Sequence, residues 1–166
     1  VVNLNIMKKI VITGGLGYIG TELCKIYSGY SWNDQIIVID NRFISERVNQ
    51  IRNWNMDFIH ADILDKDMIS KNFKDADVVH HLAGITEVPR TKSEASEEKD
   101  NKIKLVGEKG TQNILDVISE KCKIIFPSTH VIYEGIDSVK KDINEEEESK
   151  PVLSYSSSKA ANEKQL

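Results

Sequence analysis

Tyr155 and Lys159 stand four residues apart in the closing stretch SYSSSKAANEKQL, residues 154–166. On a helix that spacing puts them on one face, a turn apart. A tyrosine beside a lysine can move protons, but only with help. A free phenol titrates at about 10, so near neutrality it is mostly in the wrong form to act as a base. A neighbouring ammonium favours the phenolate. The same spacing also describes two neighbours on a solvated helix, and taken alone it favours that plainer reading.

A second stretch, TGGLGYIG at 13–20, concerns phosphate rather than protons. Gly14, Gly17 and Gly20 take the positions of a dinucleotide fingerprint, with one extra residue between the first two glycines. Gly14 would allow a tight turn, and Gly17 a close approach of pyrophosphate to the backbone. Gly20 would let the following helix pack closely, with the phosphates at its N-terminus. A P-loop is the competing reading. It fails because Thr21 stands where the P-loop lysine belongs. Asp40 ends the apolar run QIIVID. An acid there can take both ribose hydroxyls of an adenosine and repels a 2′-phosphate, which favours NAD over NADP. Arg42, two residues on, pulls the other way, because a nearby arginine can hold that phosphate. Asp40 could also be a simple turn former. Asp62, in HADILD, could accept a hydrogen bond from an adenine amino group or cap the helix that begins near Asp65.

Metal chemistry has little support. His80 and His81 are adjacent, so on a strand they face opposite sides and cannot easily share an ion. His60, His80 and His81 read as structural, and His130 is the one histidine placed to line a site. No Cys/His/Asp group has zinc spacing.

The elements that must hold these residues alternate. KKIVIT (8–13), QIIVID (35–40), MDFIHA (56–61), DVVHHLA (77–83) and KIIFPS (123–128) read as strands. Residues 18–29, 45–54 and 65–73 read as helices. A longer helical stretch over 93–121 carries Ile103, Val106, Gly110, Ile114, Leu115 and Ile118 at helical spacing. Near-continuous apolar strands suit burial on both faces. Strand–helix alternation implies right-handed βαβ units and a parallel sheet. The acidic run DINEEEESK (142–150) reads as a solvated loop.

Composition bounds the rest. The chain has 166 residues, 40% of them hydrophobic, which is enough for one domain with a core. A net charge of −4 without a basic stripe argues against nucleic acid as a partner. Cys24 and Cys122 lie far apart in no redox spacing, which suggests a reducing, cytoplasmic setting. The apolar runs are too short to span a membrane, and no signal peptide is visible.

Taken in order, TGGLGYIG, Asp40, ADI (61–63), HLAG (81–84), PSTHVIY (127–133) and YSSSKAANE (155–163) resemble the extended short-chain dehydrogenase/reductase family. Its NAD-dependent epimerase/dehydratase members act on nucleotide sugars. The resemblance covers nearly the whole chain from Lys8 onward. It implies a Rossmann-type α/β fold, doubly wound, with five parallel strands in order 3-2-1-4-5. It implies an NAD site built from Gly14, Gly17, Tyr18, Ile19, Gly20, Asp40, Asn41, Arg42, Asp62, Ile63, Leu82, Ala83 and Gly84, together with Tyr155 and Lys159. It further implies a catalytic set: Thr129 to hold the reacting sugar oxygen, Tyr155 as acid/base, and Lys159 to bind the nicotinamide ribose and lower the tyrosine's pKa. The substrate would be a UDP-, GDP- or dTDP-linked sugar. A homodimer would pair the 93–121 helix with the YxxxK helix.

The sequence departs from the family pattern in three places. An asparagine that helps fix the active-site helices is replaced by Gly107, in GEKGT (107–111). The glycine of VYG is replaced by Glu134. Where 4,6-dehydratases carry an acidic pair after the Ser/Thr, this chain has His130 and Val131. No carboxyl pair is then placed to protonate a leaving hydroxyl, so epimerisation or simple oxidation/reduction is expected over elimination of water. Family members are also about twice this length, so residues 1–166 are expected to be a truncated NAD-binding domain lacking the C-terminal strands and the substrate domain. The alternative is a non-catalytic or partner-dependent NAD-binding module.

Overall fold

The computed structural model describes residues 7–30, 33–86, 91, 93–136 and 142–166. The chain divides into two compact units, Val1–Ala83 with Asn113–Pro127, and Gly84–Gln112 with Ser128–Leu166.

The first unit is a sheet with its helices. Strands β1 (Lys9–Thr13), β2 (Gln35–Asp40), β3 (Asp57–His60), β4 (Val78–His81) and β5 (Lys123–Ile125) are all parallel, in the order β3-β2-β1-β4-β5. This is the expected topology. The central strands earn their apolar runs by burial: Val11, Ile12, Val38 and Val79 are fully buried. Helices α1 (Tyr18–Ser28), α2 (Ser45–Asn53) and α3 (Lys66–Phe73) alternate with the strands. Cys24 of α1 and Val48 and Ile51 of α2 join Ile10, Ile12, Ile36 and Val38 of the sheet in one hydrophobic cluster. Burial pushes the Cys24 thiol up to about 12, so it remains protonated and unreactive. β4 and β5 are shorter than their apolar runs suggest. In β5, Phe126 and Pro127 have already left the ladder, and Pro127 has no N–H to donate to it.

The two adjacent histidines are structural, and each has its own partner. His80 Nε2 lies 2.8 Å from the Tyr27 hydroxyl, and His81 Nδ1 lies 3.0 Å from Thr13 Oγ1. The cap of α3 is Asp65, whose carboxylate accepts from Met68 N at 3.1 Å. Asp62, the alternative cap, instead accepts from Leu64 N within its own turn. Asp65→Ala is expected to lower stability by about 1 kcal/mol. An unchanged urea midpoint would show that the cap contributes nothing.

The second unit is helical. It contains α4 (Glu97–Lys104), a π-helical turn at Leu105–Lys109, a 3₁₀ turn at His130–Tyr133 and α6 (Ser154–Gln165). The boundary between the units falls within α5 (Gly110–Leu115). The single long helix expected over 93–121 is thus interrupted, and it ends at Leu115. Residues 142–150 form turns and loops, as the acidic run suggested. No helix among the described residues is long and apolar enough to cross a membrane.

Candidate functional site

In the first unit the candidate cofactor residues gather at the carboxyl ends of the strands. That end is where ligands bind in open α/β sheets, at the point where strand order reverses, here between β1 and β4. The chain leaves β1 through a glycine turn. Gly14 has φ +65°, which side-chain-bearing residues rarely adopt. A Cβ on Gly14 would lie 2.8 Å from Ala83 N and 2.9 Å from Leu82 C. A Cβ on Gly20 would lie 2.5 Å from Gly14 O and 2.6 Å from Gly15 Cα. The turn is therefore folded back onto the first turn of α1, with no room for side chains at its inner face. Gly17 N donates to Gly14 O at 2.9 Å, closing the turn. Tyr18 and Ile19, which open α1, are exposed.

Thr13 joins this turn to the end of β4. Its hydroxyl accepts from Leu82 N at 3.1 Å and from Ala83 N at 3.0 Å. Asp40, at the end of β2, is buried and reaches the same turn, since its Oδ2 accepts from Leu16 N at 3.0 Å. Arg42 returns to Asp40 through its backbone N–H at 2.9 Å and its Nε at 3.2 Å. Arg47 donates to Leu16 O on the other side of the turn. The ends of β2 and β3 are tied by Asn41 Nδ2, which donates to Asp62 Oδ2 at 2.9 Å. Ile63 is buried, and its carbonyl accepts from Asn113 Nδ2 at 3.0 Å.

These residues fit a dinucleotide. The turn is a cradle that any Cβ would fill, and an acid stands beside it at the end of the next strand. A ribose diol on Asp40 would have to displace the Arg42 side chain, which is 57% exposed and so has somewhere to go. Sequence reading did not find Thr13 or Arg47. Neither has a motif, since Thr13 acts through its place beside β4 and Arg47 through its place on α2.

In the second unit α6 carries Tyr155 and Lys159 on one face, with Lys159 Nζ 6.0 Å from the centre of the Tyr155 ring. Both are partly buried, and desolvation sets both shifts. It pushes the Tyr155 phenol above its ordinary value. It pulls the Lys159 ammonium below its own, with Glu163 opposing. Burial disfavours the charged forms of both groups. Thr129 caps the 3₁₀ turn, its hydroxyl accepting from Val131 N at 3.4 Å. Gly84 has open space where a Cβ would go.

Gly107, the residue that replaces the expected asparagine, lies in the π-helical turn. A Cβ there would lie 2.1 Å from Ser158 Oγ. Side chains of α6 bond to backbone carbonyls of this turn. Asn162 Nδ2 donates to Gly107 O at 3.1 Å and to Thr111 Oγ1 at 3.1 Å, and Gln165 Nε2 donates to Glu108 O at 3.2 Å. The turn is tied to α6 by a close backbone approach at Gly107 and by the Asn162 and Gln165 side chains, rather than by a side chain at position 107.

The model of the 3-beta hydroxysteroid dehydrogenase/isomerase family matches residues 11–166. The chain belongs to this family. The motifs of the extended short-chain dehydrogenase/reductase group read in the sequence fall within the matched residues. The chain is 29% identical to a dTDP-D-glucose 4,6-dehydratase of Dictyostelium discoideum, over 95% of its own length and 39% of that protein. It is 32% identical to the CDP-paratose 2-epimerase of Salmonella typhi, over 80% of its length and 40% of the relative. Among solved structures it resembles UDP-glucose 4-epimerase from Brucella ovis in complex with NAD, with a TM-score of 0.77 and 27% identity. That match covers 96% of this chain and 46% of the epimerase. The chain thus spans about two fifths of the first two relatives and just under half of the UDP-glucose 4-epimerase.

Proposed function

We propose that the chain is the dinucleotide-binding portion of an NAD-dependent nucleotide-sugar epimerase or a related sugar oxidoreductase. The observation that carries this reading is the glycine turn after β1, closed to side chains and bonded through Leu16 to the carboxylate of Asp40. The family relatives that act on nucleotide sugars add support.

Bound NAD would accept a hydride from the sugar and return it. The chain's own residues do the rest. The turn at Gly14, Gly17 and Gly20, with the start of α1 at Tyr18 and Ile19, receives the pyrophosphate. Asp40 and Asn41 hold the adenosine ribose. Asp62 and Ile63 flank the adenine, and Leu82, Ala83 and Gly84 flank the cofactor beyond β4. Arg42 neutralises Asp40 and weakens its discrimination against a 2′-phosphate, but the buried carboxylate keeps the preference for NAD. Thr129 holds the sugar hydroxyl, Tyr155 takes and returns its proton, and Lys159 binds the nicotinamide ribose.

Epimerisation is preferred over 4,6-dehydration on one point of chemistry. Elimination of water needs an acid at the leaving hydroxyl, and His130 and Val131 follow Thr129 where dehydratases carry carboxyls. The similarity to a 4,6-dehydratase weighs on the other side. We assign the protein to the cytoplasm, in keeping with two free cysteines, and expect a homodimer formed through α4 and α6, which light scattering would test.

Calorimetric titration with NAD and NADP tests the cofactor half; binding of neither overturns the proposal. Incubation of the full-length protein with UDP-, GDP- and dTDP-sugars, followed by product chromatography, tests the chemistry. NAD binding without any turnover would leave only a binding module.

A further inference from the structure

Glu134 stands where the family pattern has glycine, and the structure gives it three partners. Its Oε1 accepts from Val152 N at 2.8 Å, from Leu153 N at 2.8 Å and from the Ser156 hydroxyl. These groups are the entrance to α6. Leu153, at the cap position of that helix, has no side-chain oxygen to offer the free N–H groups. Ser156 supplies half of a capping box by accepting from Leu153 N at 3.2 Å. The Glu134 carboxylate, from elsewhere in the chain, takes the two N–H groups just before the helix and the Ser156 hydroxyl within its first turn. Desolvation pushes the Glu134 carboxyl up, but the bonds from Ser156, Leu153 and Val152 together hold it below the ordinary carboxylate range.

The placement matters because of what lies on either side. Glu134 directly follows the 3₁₀ turn whose cap is Thr129. Its partners directly precede and surround Tyr155. Gly135 reinforces the junction: its N–H donates to Lys150 O at 2.8 Å, and a Cβ there would lie 2.5 Å from that same oxygen. One carboxylate therefore bridges the segment that carries the sugar-holding hydroxyl and the helix that carries the acid/base.

We propose that Glu134 is a positioning residue, which fixes the first turn of α6, and with it Tyr155, relative to the 3₁₀ turn that Thr129 caps. This rests on the roles proposed above for Thr129 and Tyr155. Glu134 touches no reacting atom. Its effect comes from placing a hydroxyl and a phenol for the same proton transfer, where small misplacements are costly.

The test compares Glu134→Ala with Glu134→Gln, which keeps an acceptor oxygen, in the full-length protein. The first readout is hydrogen exchange at the amides of Val152 and Leu153, which needs no activity. These amides should exchange about tenfold or more faster in the alanine variant and return toward wild-type protection in the glutamine variant. Unchanged exchange in the alanine variant overturns the proposal. The second readout is turnover of UDP-glucose. The alanine variant should lose on the order of tenfold to a hundredfold in kcat with KM little changed, and glutamine should recover most of it. A loss that follows thermal stability alone, without the kcat/KM split or the glutamine recovery, also overturns it. If wild-type protein binds NAD but turns over no sugar, the functional reading is at fault, and the exchange measurement still decides the Glu134 contact.

Discussion

Gly14→Ala is expected to abolish measurable NAD binding and to lower stability by about 2–5 kcal/mol, the sum of two separate costs. The first is conformational. Gly14 sits at φ +65°, and an L side chain in that region costs roughly 1–2 kcal/mol. The second is steric. The new Cβ would lie 2.8 Å from Ala83 N, 2.9 Å from Ala83 Cα and 2.9 Å from Leu82 C. All three are backbone atoms, which cannot swing aside as a side chain can, and forced overpacking of this kind costs about 1–3 kcal/mol. Relief requires the turn to move away from the end of β4. That movement would pull against the bonds from Leu82 N and Ala83 N to Thr13. It would also distort the cradle the pyrophosphate needs. Gly84→Ala is the matched control. A Cβ at Gly84 meets nothing within 4 Å, so its effect on stability should lie within about 0.5 kcal/mol. Urea unfolding and NAD calorimetry on both variants check this. If Gly14→Ala binds NAD as the wild type does, the turn is not the phosphate site. If Gly84→Ala weakens NAD binding without changing the urea midpoint, Gly84 serves the cofactor's approach rather than the fold.

The same contrast shows what the sequence could and could not reveal. A parallel sheet covered on both faces was legible because Val11, Ile12, Val38 and Val79 lie in near-continuous apolar runs, whereas the strand order came from the family resemblance. The glycine turn was legible because its residues are consecutive and their backbone demands are local. Asp40 was legible as an acid at a strand end, but its bond to Leu16 N and its cover by Arg42 were not, since they depend on how β2 passes the turn. Glu134 was read only as a lost glycine. Its partners lie 18 to 22 residues further on, beyond any local pattern. Gly107 was read as a lost support for the active-site helices. In the structure the turn is tied to α6 in another way: a Cβ at Gly107 would meet Ser158 Oγ, and Asn162 and Gln165 of α6 donate to the Gly107 and Glu108 carbonyls. A residue replaced in a motif can mean a different solution to the same packing problem, and only the partner helix reveals it.

Tyr155→Phe is expected to lower kcat by about 10²–10⁴-fold, the range for loss of one acid/base group, and to leave NAD affinity nearly unchanged. The substitution keeps the ring that lies 6.0 Å from Lys159 Nζ and removes only the hydroxyl. The pH dependence follows from the sign of the shift. As a base, Tyr155 is active only as phenolate, so the rate should rise with pH through the phenol's pKa and flatten above it. Burial pushes that pKa above its ordinary value. Without further charge the rising limb would then lie well on the alkaline side of neutrality. The same burial pulls the Lys159 ammonium below its ordinary value, with Glu163 opposing. An additional positive charge must therefore favour the phenolate if the group is to work near pH 7, and the oxidised nicotinamide ring is that charge in the proposed reaction. The expected result is that the phenolate absorbance of Tyr155, taken as wild type minus Tyr155→Phe, titrates at lower pH with NAD bound than without it. Lys159→Met should move that titration back up, since it removes the second cation and retains most of the packing volume. A Tyr155→Phe variant with wild-type turnover would remove Tyr155 from the chemistry. A phenol that titrates at the same pH with and without NAD would mean that the cofactor's charge does not act on Tyr155.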